Sequence, residues 1–201
     1  MPALDALQDR FAAANTQVLG VSVDSQHCHA GWGVSLGGVS FPLLADFHPK
    51  GKLAEAYGLY LADNGITDRA TVIIDADGKV QHASSVGPGG ERDIAELAGL
   101  CEKVNADYKG SLPAATKPAG LQGEHEIFVK SNCGFSRSVL WARDNLHLDI
   151  PVRNVSDDSA AMAALEKASG KQQAPCLMKG GKAMLESKEI IEYLVKATTG
   201  L

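Results

Sequence analysis

A stretch of small residues with two prolines and two glycines divides this chain near its middle. Residues 109–120 read KGSLPAATKPAG and carry no helical or strand-like pattern of apolar residues. This composition favours an extended linker, because proline and glycine interrupt helices and strands. The chain of 201 residues therefore predicts two domains, over 1–108 and 124–201, joined by a linker over 109–123.

Helical and strand-like patterns alternate in both predicted domains. Leu4, Leu7 and Phe11 recur at helical spacing in a predicted helix over 2–14. The run VLGVSV at 18–23 is apolar on both faces, which is typical of a buried parallel strand. Further helices are predicted over 25–37, 50–57 and 94–104, a strand over 41–45, and a hairpin of 71–74 and 79–82 around the turn DADG.

The second domain predicts the order β-α-β-α-β-β-α within residues 124–198. Strands are predicted over 126–129, 150–154, 175–178 and 182–184, and helices over 134–146, 158–168 and 187–197. Such alternation in both halves predicts an α/β layer fold.

Composition excludes several classes of function. The net charge is −5, aromatic residues make up 5%, and no lysine and arginine stripe is present, which argues against nucleic-acid binding. No apolar run approaches the roughly 18 residues that span a bilayer, so we expect no membrane association. The N-terminal residues lack the basic start of a secretory signal, and we expect a cytoplasmic protein whose four cysteines stay reduced.

Cys133 stands between a predicted strand and a predicted helix. A cysteine at a helix N-terminus faces unpaired N–H groups and the positive end of the helix dipole, and the nearby Lys130 adds a positive charge. Both effects favour a nucleophilic thiolate, although a buried cysteine that happens to begin a helix is the alternative. Three residues later stands Ser136, whose hydroxyl cannot resolve a disulfide, so a mixed disulfide on Cys133 needs an external thiol.

Residues 124–198 resemble a glutaredoxin domain. The tetrad Cys133-Gly134-Phe135-Ser136 matches the active-site motif of that family, Ala174-Pro175 matches its cis-proline, and Gly180-Gly181 matches its paired glycines. The resemblance implies a thioredoxin-like fold with Cys133 as the catalytic nucleophile and glutathione as co-substrate. It also implies a glutathione site formed by Lys130, Phe135, Ala174, Pro175, Glu186 and Ser187.

The same tetrad marks single-thiol glutaredoxins that carry an iron–sulfur cluster. Those proteins have a Trp-Pro motif before the cis-proline and a Cys-Asp pair after the glycines, whereas this chain has KQQAP at 171–175 and GKA at 181–183. Cluster binding is therefore the weaker alternative, and we expect no metal site and no tightly bound cofactor.

Residues 1–107 resemble the peroxiredoxin family. The matching stretches are 19–25, 29–32 and 41–46, together with Arg69 before the strand at 71–74. The resemblance implies a second thioredoxin-like module in which Arg69 lines a peroxide site, with a solvated turn residue as the alternative. Its peroxide-reducing cysteine would stand just before the region that matches residues 1–9. We therefore expect a module that is incomplete at its N-terminus, with open sheet edges and exposed apolar surface.

The other three cysteines receive structural interpretations. Cys28 lies between His27 and His29, but neighbours on a helix point in different directions and cannot all bind one metal ion. Cys28 is therefore an ordinary helix residue, with a resolving thiol as the alternative. Cys101 falls on the apolar face of its helix, and Cys176 is expected to pack in its strand.

Together the two resemblances identify a peroxiredoxin–glutaredoxin hybrid. They imply a glutathione-dependent thiol–disulfide oxidoreductase that acts in hydroperoxide reduction, with little peroxidase activity in the chain as it stands. The expected partners are glutathione, a hydroperoxide or a glutathione-mixed disulfide, and further copies of the chain in a homo-oligomer. The alternatives are a stand-alone reductase of glutathionylated proteins and an iron–sulfur carrier.

Overall fold

The structure is a computed structural model that describes residues 1–112 and 118–199. The described chain divides into two compact units, residues 1–29 with 41–112 and residues 30–40 with 118–199. Part of the predicted linker, 113–117, lies outside the described residues, and the domain boundaries 1–108 and 124–201 stay a prediction. None of the helices in the two described ranges is long and apolar enough to cross a membrane.

The elements from residue 1 to 112 follow the predicted alternation, with two differences. The predicted helix over 2–14 is broken at Leu7, and a short hairpin at 60–67 was not predicted. In chain order the elements are α1 (Pro2–Ala6), α2 (Gln8–Ala13), β1 (Gly20–Ser22), α3 (Gln26–Ser35), β2 (Leu43–Ala45), α4 (Lys52–Ala56), β3 (Tyr60–Leu61), β4 (Ile66–Thr67), β5 (Ala70–Ile74), β6 (Val80–Ser85) and α5 (Ile94–Asp107).

The strands of the first unit form separate two-stranded sheets. β1 pairs in parallel with β2, and β5 pairs with β6 around the predicted turn. The parallel strand predicted over 18–23 is found as Gly20–Ser22. Its predicted burial is wrong, because Leu19 is 53% exposed and Val21 is 40% exposed. Within the described residues β1 has one strand neighbour, β2, so its other edge has no strand partner.

The core of the first unit lies where α2 and α5 pack against β5. Its buried members are Phe11, Ala14, Ile73, Ala98 and Cys101. Asp93 is the N-cap residue of α5, and its side chain accepts the N–H of Glu96. The expectation that Cys101 packs in the core is confirmed.

The second unit has the predicted order β-α-β-α-β-β-α. Its elements are β7 (His125–Val129), α6 (Gly134–Asn145), β8 (Val152–Asn154), α7 (Ser159–Ser169), β9 (Cys176–Lys179), β10 (Lys182–Met184) and α8 (Ser187–Thr199). They include a four-stranded sheet in the order β10-β9-β7-β8, in which β8 runs parallel to β7 and β9 runs antiparallel to it.

Both faces of this sheet are covered by helices. Ile127 of β7 packs in one cluster with Val139 of α6 and Leu194 of α8. The next residue, Phe128, packs in a second cluster with Leu165 of α7, because successive side chains of a strand point to opposite faces. The sheet therefore lies between two hydrophobic cores.

Asn145, the last residue of α6, holds residues 30–40 within the second unit. Its Nδ2 donates to the carbonyl of Ala30 at 3.0 Å and to that of Trp141 at 2.9 Å. Its Oδ1 accepts the N–H of Val39 at 3.2 Å. One amide side chain thus satisfies backbone groups at both ends of the segment.

Candidate active site

The strand directions bring three loops of the second unit to one edge of its sheet. β7 and the parallel β8 both end at this edge, and the antiparallel β9 begins there. β10 pairs with β9 through Met184 and Leu177, so it also ends at this edge. The loops at 130–133, 173–175 and 185–187 therefore lie at the same end of the sheet.

The loop after β7 is fixed by hydrogen bonds before it reaches Cys133. The N–H of Ser131 donates to Oγ of Ser156 at 3.0 Å, and Nδ2 of Asn154 donates to Oγ of Ser131 at 2.7 Å. Asn132 adopts a left-handed backbone with φ 55°, a conformation that asparagine tolerates better than most residues. This turn directs the chain from β7 into α6 and makes Cys133 the N-cap residue.

The first turn of α6 lowers the pKa of Cys133. The largest cause is the backbone N–H of Ser136, followed by the Ser136 hydroxyl, with smaller contributions from the N–H of Phe135 and the charge of Lys130. The Cys133 side chain makes no capping hydrogen bond, yet these donors favour its thiolate over its thiol. The Cys133 sulfur is therefore prepared for nucleophilic attack.

Ser136 and Phe135 have opposite environments in this turn. Ser136 is only 2% exposed, and its Oγ accepts the N–H of Lys130 at 3.1 Å. Phe135 is 69% exposed, and no other large apolar side chain among the described residues 118–199 is exposed. The family resemblance predicted Phe135 as a glutathione-binding residue, whereas the hydrogen bond between Ser136 and Lys130, six positions apart, was not predicted.

A glutamine connects the other two loops at this edge. Nε2 of Gln173 donates to the carbonyl of Leu185 at 3.4 Å and to Oε1 of Glu186 at 3.2 Å. The Ala174–Pro175 peptide bond is cis, as predicted. Ser187 begins α8, and the first turn of a helix has N–H groups without intrahelical partners. This edge thus offers a carboxylate and free backbone donors close together.

The structure places all but one of the predicted site residues at this edge. The seven are Lys130, Cys133, Phe135, Ala174, Pro175, Glu186 and Ser187. The eighth, Arg69, belongs to the first unit, where it immediately precedes β5.

Arg69 has cationic neighbours in the first unit. Arg92 donates from Nη1 to the carbonyl of Ala70 at 3.1 Å, and burial together with the charge of Arg69 lowers the pKa of Arg92. Burial, followed by the charges of both arginines, also lowers the pKa of the Met1 amino group. The contact of Arg92 was not predicted, because Arg92 lies 22 positions from Ala70 in the sequence.

The remaining cysteines differ from Cys133 in exposure or in pKa. Burial raises the pKa of Cys101 and of Cys176, and both pack in cores as predicted. Cys28 is exposed on α3, whereas the adjacent His29 is buried and its Nε2 lies 2.7 Å from Oγ of Ser22. The two neighbours thus point in different directions, as helix geometry predicts.

Two protein-family models match the two halves of the chain. Residues 1–83 match the AhpC/TSA family, and residues 128–200 match the N-terminal domain of glutathione S-transferases. The chain thus combines a peroxiredoxin-like N-terminal part with a thioredoxin-like C-terminal part. This confirms the α/β class and the hybrid organisation that the resemblances predicted.

Curated relatives match the N-terminal part. Alkyl hydroperoxide reductase C of Mycobacterium tuberculosis is 32% identical over 108 residues, which are 52% of this chain and 54% of that protein. Alkyl hydroperoxide reductase E of Mycobacterium bovis is 36% identical over 93 residues, which are 45% of this chain and 60% of that protein. A chloroplastic 2-Cys peroxiredoxin of Spinacia oleracea is 32% identical over 126 residues, which cover 58% of this chain and 46% of that protein.

Among solved structures, Mycobacterium tuberculosis AhpC is 32% identical with a TM-score of 0.47, covering 51% of this chain and 61% of that one. The chain spans about half the length of the curated relatives that it matches.

Proposed function

We propose that this chain is a glutathione-dependent thiol–disulfide oxidoreductase in which Cys133 attacks glutathione-mixed disulfides. The thiolate of Cys133 attacks the glutathione sulfur of the substrate, the substrate thiolate leaves and takes a proton, and Cys133 becomes glutathionylated. A second glutathione thiolate then attacks this mixed disulfide, releasing oxidised glutathione and the Cys133 thiolate. Overall, the substrate sulfur is reduced to a thiol, the sulfur of the incoming glutathione is oxidised, and the two glutathione sulfurs leave together as one disulfide.

The observation that carries this proposal is the setting of Cys133 at the start of α6. Its pKa is lowered by donors of the first turn, whereas burial raises the pKa values of Cys101 and Cys176. The fourth residue of the tetrad is serine, and Cys176 is fully buried, so neither offers a resolving thiol at the surface. An external thiol is therefore the reductant that this arrangement requires.

Glutathione fits the edge of the second unit by charge and by hydrogen bonding. It carries two carboxylates and one ammonium, so a specific site needs charges of both signs. Lys130 would bind the glycine carboxylate, and the backbone of Ala174 beside Pro175 would pair with the cysteine portion next to the exposed ring of Phe135. The N–H groups at Ser187 would take the γ-glutamyl carboxylate, and Glu186 would meet the ammonium.

The first unit connects this chemistry to hydroperoxides. The curated relatives of this part are named as hydroperoxide reductases and peroxiredoxins, and we propose that Arg69 faces a peroxide in this unit. A sulfenic acid formed there would be capped by glutathione and then restored by Cys133. Cys101 is buried, which raises the pKa of its thiol, and the Cys28 thiol donates to Oδ1 of Asp24 at 3.8 Å, so we expect little peroxidase activity from the described residues.

Two further properties belong to this proposal. All four cysteines are free thiols, which suits a reducing compartment such as the cytoplasm. The open edge of β1 and its exposed apolar residues favour association with further copies of the chain.

The proposal is tested by the steady-state reduction of a glutathione-mixed disulfide by the full chain and its Lys130→Ala variant. A charge-assisted contact is worth roughly 1.5–3 kcal/mol when partly desolvated, so kcat/KM should fall about tenfold or more. Lys196→Ala is the matched control, because Lys196 is exposed in the last turn of α8 and should leave kcat/KM unchanged.

Each alternative function predicts a different outcome of this experiment. An unchanged kcat/KM in Lys130→Ala would identify a general thiol reductase that does not hold glutathione in the proposed way. A brown protein with visible absorbance and no turnover would identify an iron–sulfur carrier instead.

A further inference from the structure

The turn that follows β8 contacts the loop before Cys133 through its side chains. Asn154 is the last residue of β8, and its Nδ2 donates to Oγ of Ser131 at 2.7 Å and to Oδ2 of Asp157 at 2.5 Å. Its Oδ1 accepts the N–H of Ser156 at 3.1 Å. Oγ of Ser156 in turn accepts the N–H of Ser131 at 3.0 Å. Ser131 is thus held through both its backbone and its side chain.

These contacts complete a row of anchors along residues 129–131. The carbonyl of Val129 accepts the N–H of Val155 at 2.9 Å. The N–H of Lys130 donates to Oγ of Ser136 at 3.1 Å, and Ser131 is held by the turn after β8. The backbone on either side of the lysine is therefore fixed by groups of neighbouring elements.

The pair of Asn154 and Asp157 needs a donor at the first position and an acceptor at the second. A side-chain amide donates through its nitrogen and accepts through its oxygen, whereas an ionised carboxylate only accepts. Oδ2 of Asp157 accepts from Asn154 and also from Oγ of Ser131 at 3.4 Å. A carboxylate at position 154 would lose the donor and place two negative charges side by side.

We propose that Asn154 and Asp157 are positioning residues for Lys130. Their hydrogen bonds hold Ser131, and a fixed Ser131 keeps the preceding lysine in one backbone orientation. The ammonium of Lys130 would then meet the glycine carboxylate of glutathione without the cost of first ordering the loop. The inference rests on the proposed function and adds to it two residues that themselves need not touch glutathione.

This role predicts an effect on substrate binding and little effect on the chemical step. The backbone N–H groups that face Cys133 belong to the first turn of α6, which changes at Asn154 leave in place. Loss of the Asn154 hydrogen bonds should therefore raise KM for a glutathione-mixed disulfide about three- to tenfold. Because substrate and transition state use Lys130 alike, kcat should stay within about twofold.

The experiment compares three variants of the full chain by steady-state kinetics. Asn154→Ala removes the donor, and Asn154→Asp should raise KM at least as much, because it adds a like charge beside Asp157. Asn154→Asp combined with Asp157→Asn exchanges donor and acceptor, so KM should return to within about twofold of the wild type. Gln122→Ala is the matched amide control, since Nε2 of Gln122 donates to the carbonyl of Ala119 at 2.7 Å, before β7 begins.

A second measurement follows the charge of Lys130 without glutathione. Alkylation of Cys133 by anionic iodoacetate and by neutral iodoacetamide is compared by mass spectrometry, because a positioned ammonium favours the anion. The ratio of the two rates in Asn154→Ala should fall toward the ratio in Lys130→Ala, while the iodoacetamide rate stays unchanged. Folding is checked on Cys176, which is fully buried and should stay unlabelled.

An unchanged KM and an unchanged rate ratio in folded Asn154→Ala would overturn the role of Asn154. If Asn154→Ala exposes Cys176, the folded exchange variant decides, and a KM or rate ratio that does not recover there would also overturn it. Turnover that survives Cys133→Ser would instead overturn the proposed function. The rate ratio does not depend on turnover, so the two failures are distinguishable.

Discussion

Gly33 on α3 provides a sharp test of how residues 30–40 are held in the second unit. In an ordinary helix interior, alanine stabilises by about 1 kcal/mol relative to glycine. A Cβ atom at position 33, however, would lie 2.3 Å from Oδ1 of Asn145. The Asn145 side chain would have to move, although it accepts from Val39 and donates to Ala30.

The balance of these effects decides whether Gly33→Ala stabilises or destabilises the chain. Val39 is buried, and a buried backbone group without a partner costs roughly 1–3 kcal/mol. Loss of the partners of Val39 and Ala30 thus costs about 2–4 kcal/mol, which exceeds the helix gain. Gly33→Ala should therefore destabilise the chain by about 1–3 kcal/mol. In the Asn145→Ala background the clash and the hydrogen bonds are gone, and the same change should stabilise by about 1 kcal/mol.

Urea unfolding, monitored by tryptophan fluorescence, measures the effect of Gly33→Ala on the free energy of unfolding in the wild type and in the Asn145→Ala background. The chain has two tryptophans, Trp32 and Trp141, and both belong to the second unit. Gly31→Ala is the control, because its Cβ would meet Trp141 at an ordinary 3.4 Å. If Gly33→Ala stabilises the wild type as much as Gly31→Ala does, the hydrogen-bonding role of Asn145 is refuted.

Three further outcomes follow from the two units. Iodoacetamide should label Cys133 faster than Cys101 throughout pH 6–8, and the labelling of Cys133 should reach its half-maximal rate at a lower pH. The reason is that first-turn donors lower the pKa of Cys133, whereas burial raises the pKa of Cys101. Equal labelling rates near neutral pH would contradict this prediction. Val21→Lys should reduce self-association measured by sedimentation, since it places a charge on the open edge of β1, and an unchanged sedimentation profile would exclude that edge. Hydrogen peroxide turnover with glutathione should be slow, and a fast turnover abolished by Cys28→Ser would make Cys28 the peroxide-reducing residue.

Local patterns predicted much of the fold because the interactions behind them are local. The turn between β5 and β6 forms because Oδ1 of Asp75 accepts the N–H groups of Asp77 and Lys79, all within five residues. The order of elements in the second unit followed from apolar periodicity alone. Cys133 was found in the same way, since a strand, a turn and a helix start are visible in sequence.

Contacts between distant residues were not predictable from one sequence. Asn145 binds Ala30 across 115 positions, and Arg92 binds Ala70 across 22, so neither partner leaves a pattern near the other. The exposure of Val21 was also missed, because burial of a strand depends on neighbours that its own residues do not specify. The burial of Ser136, which is 2% exposed, was not predicted either, because it depends on how the first turn of α6 packs within the unit.

The nucleophilic role of Cys133 is tested most directly by the Cys133→Ser variant of the full chain, with Cys176→Ser as the matched control. The measurement is the rate at which each protein reduces a glutathione-mixed disulfide in the presence of glutathione. We predict that Cys133→Ser falls to the uncatalysed rate, because a hydroxyl does not ionise near neutral pH, while Cys176→Ser keeps its activity wherever it stays folded. Turnover by Cys133→Ser at the wild-type rate would contradict the assignment of Cys133 as the nucleophile.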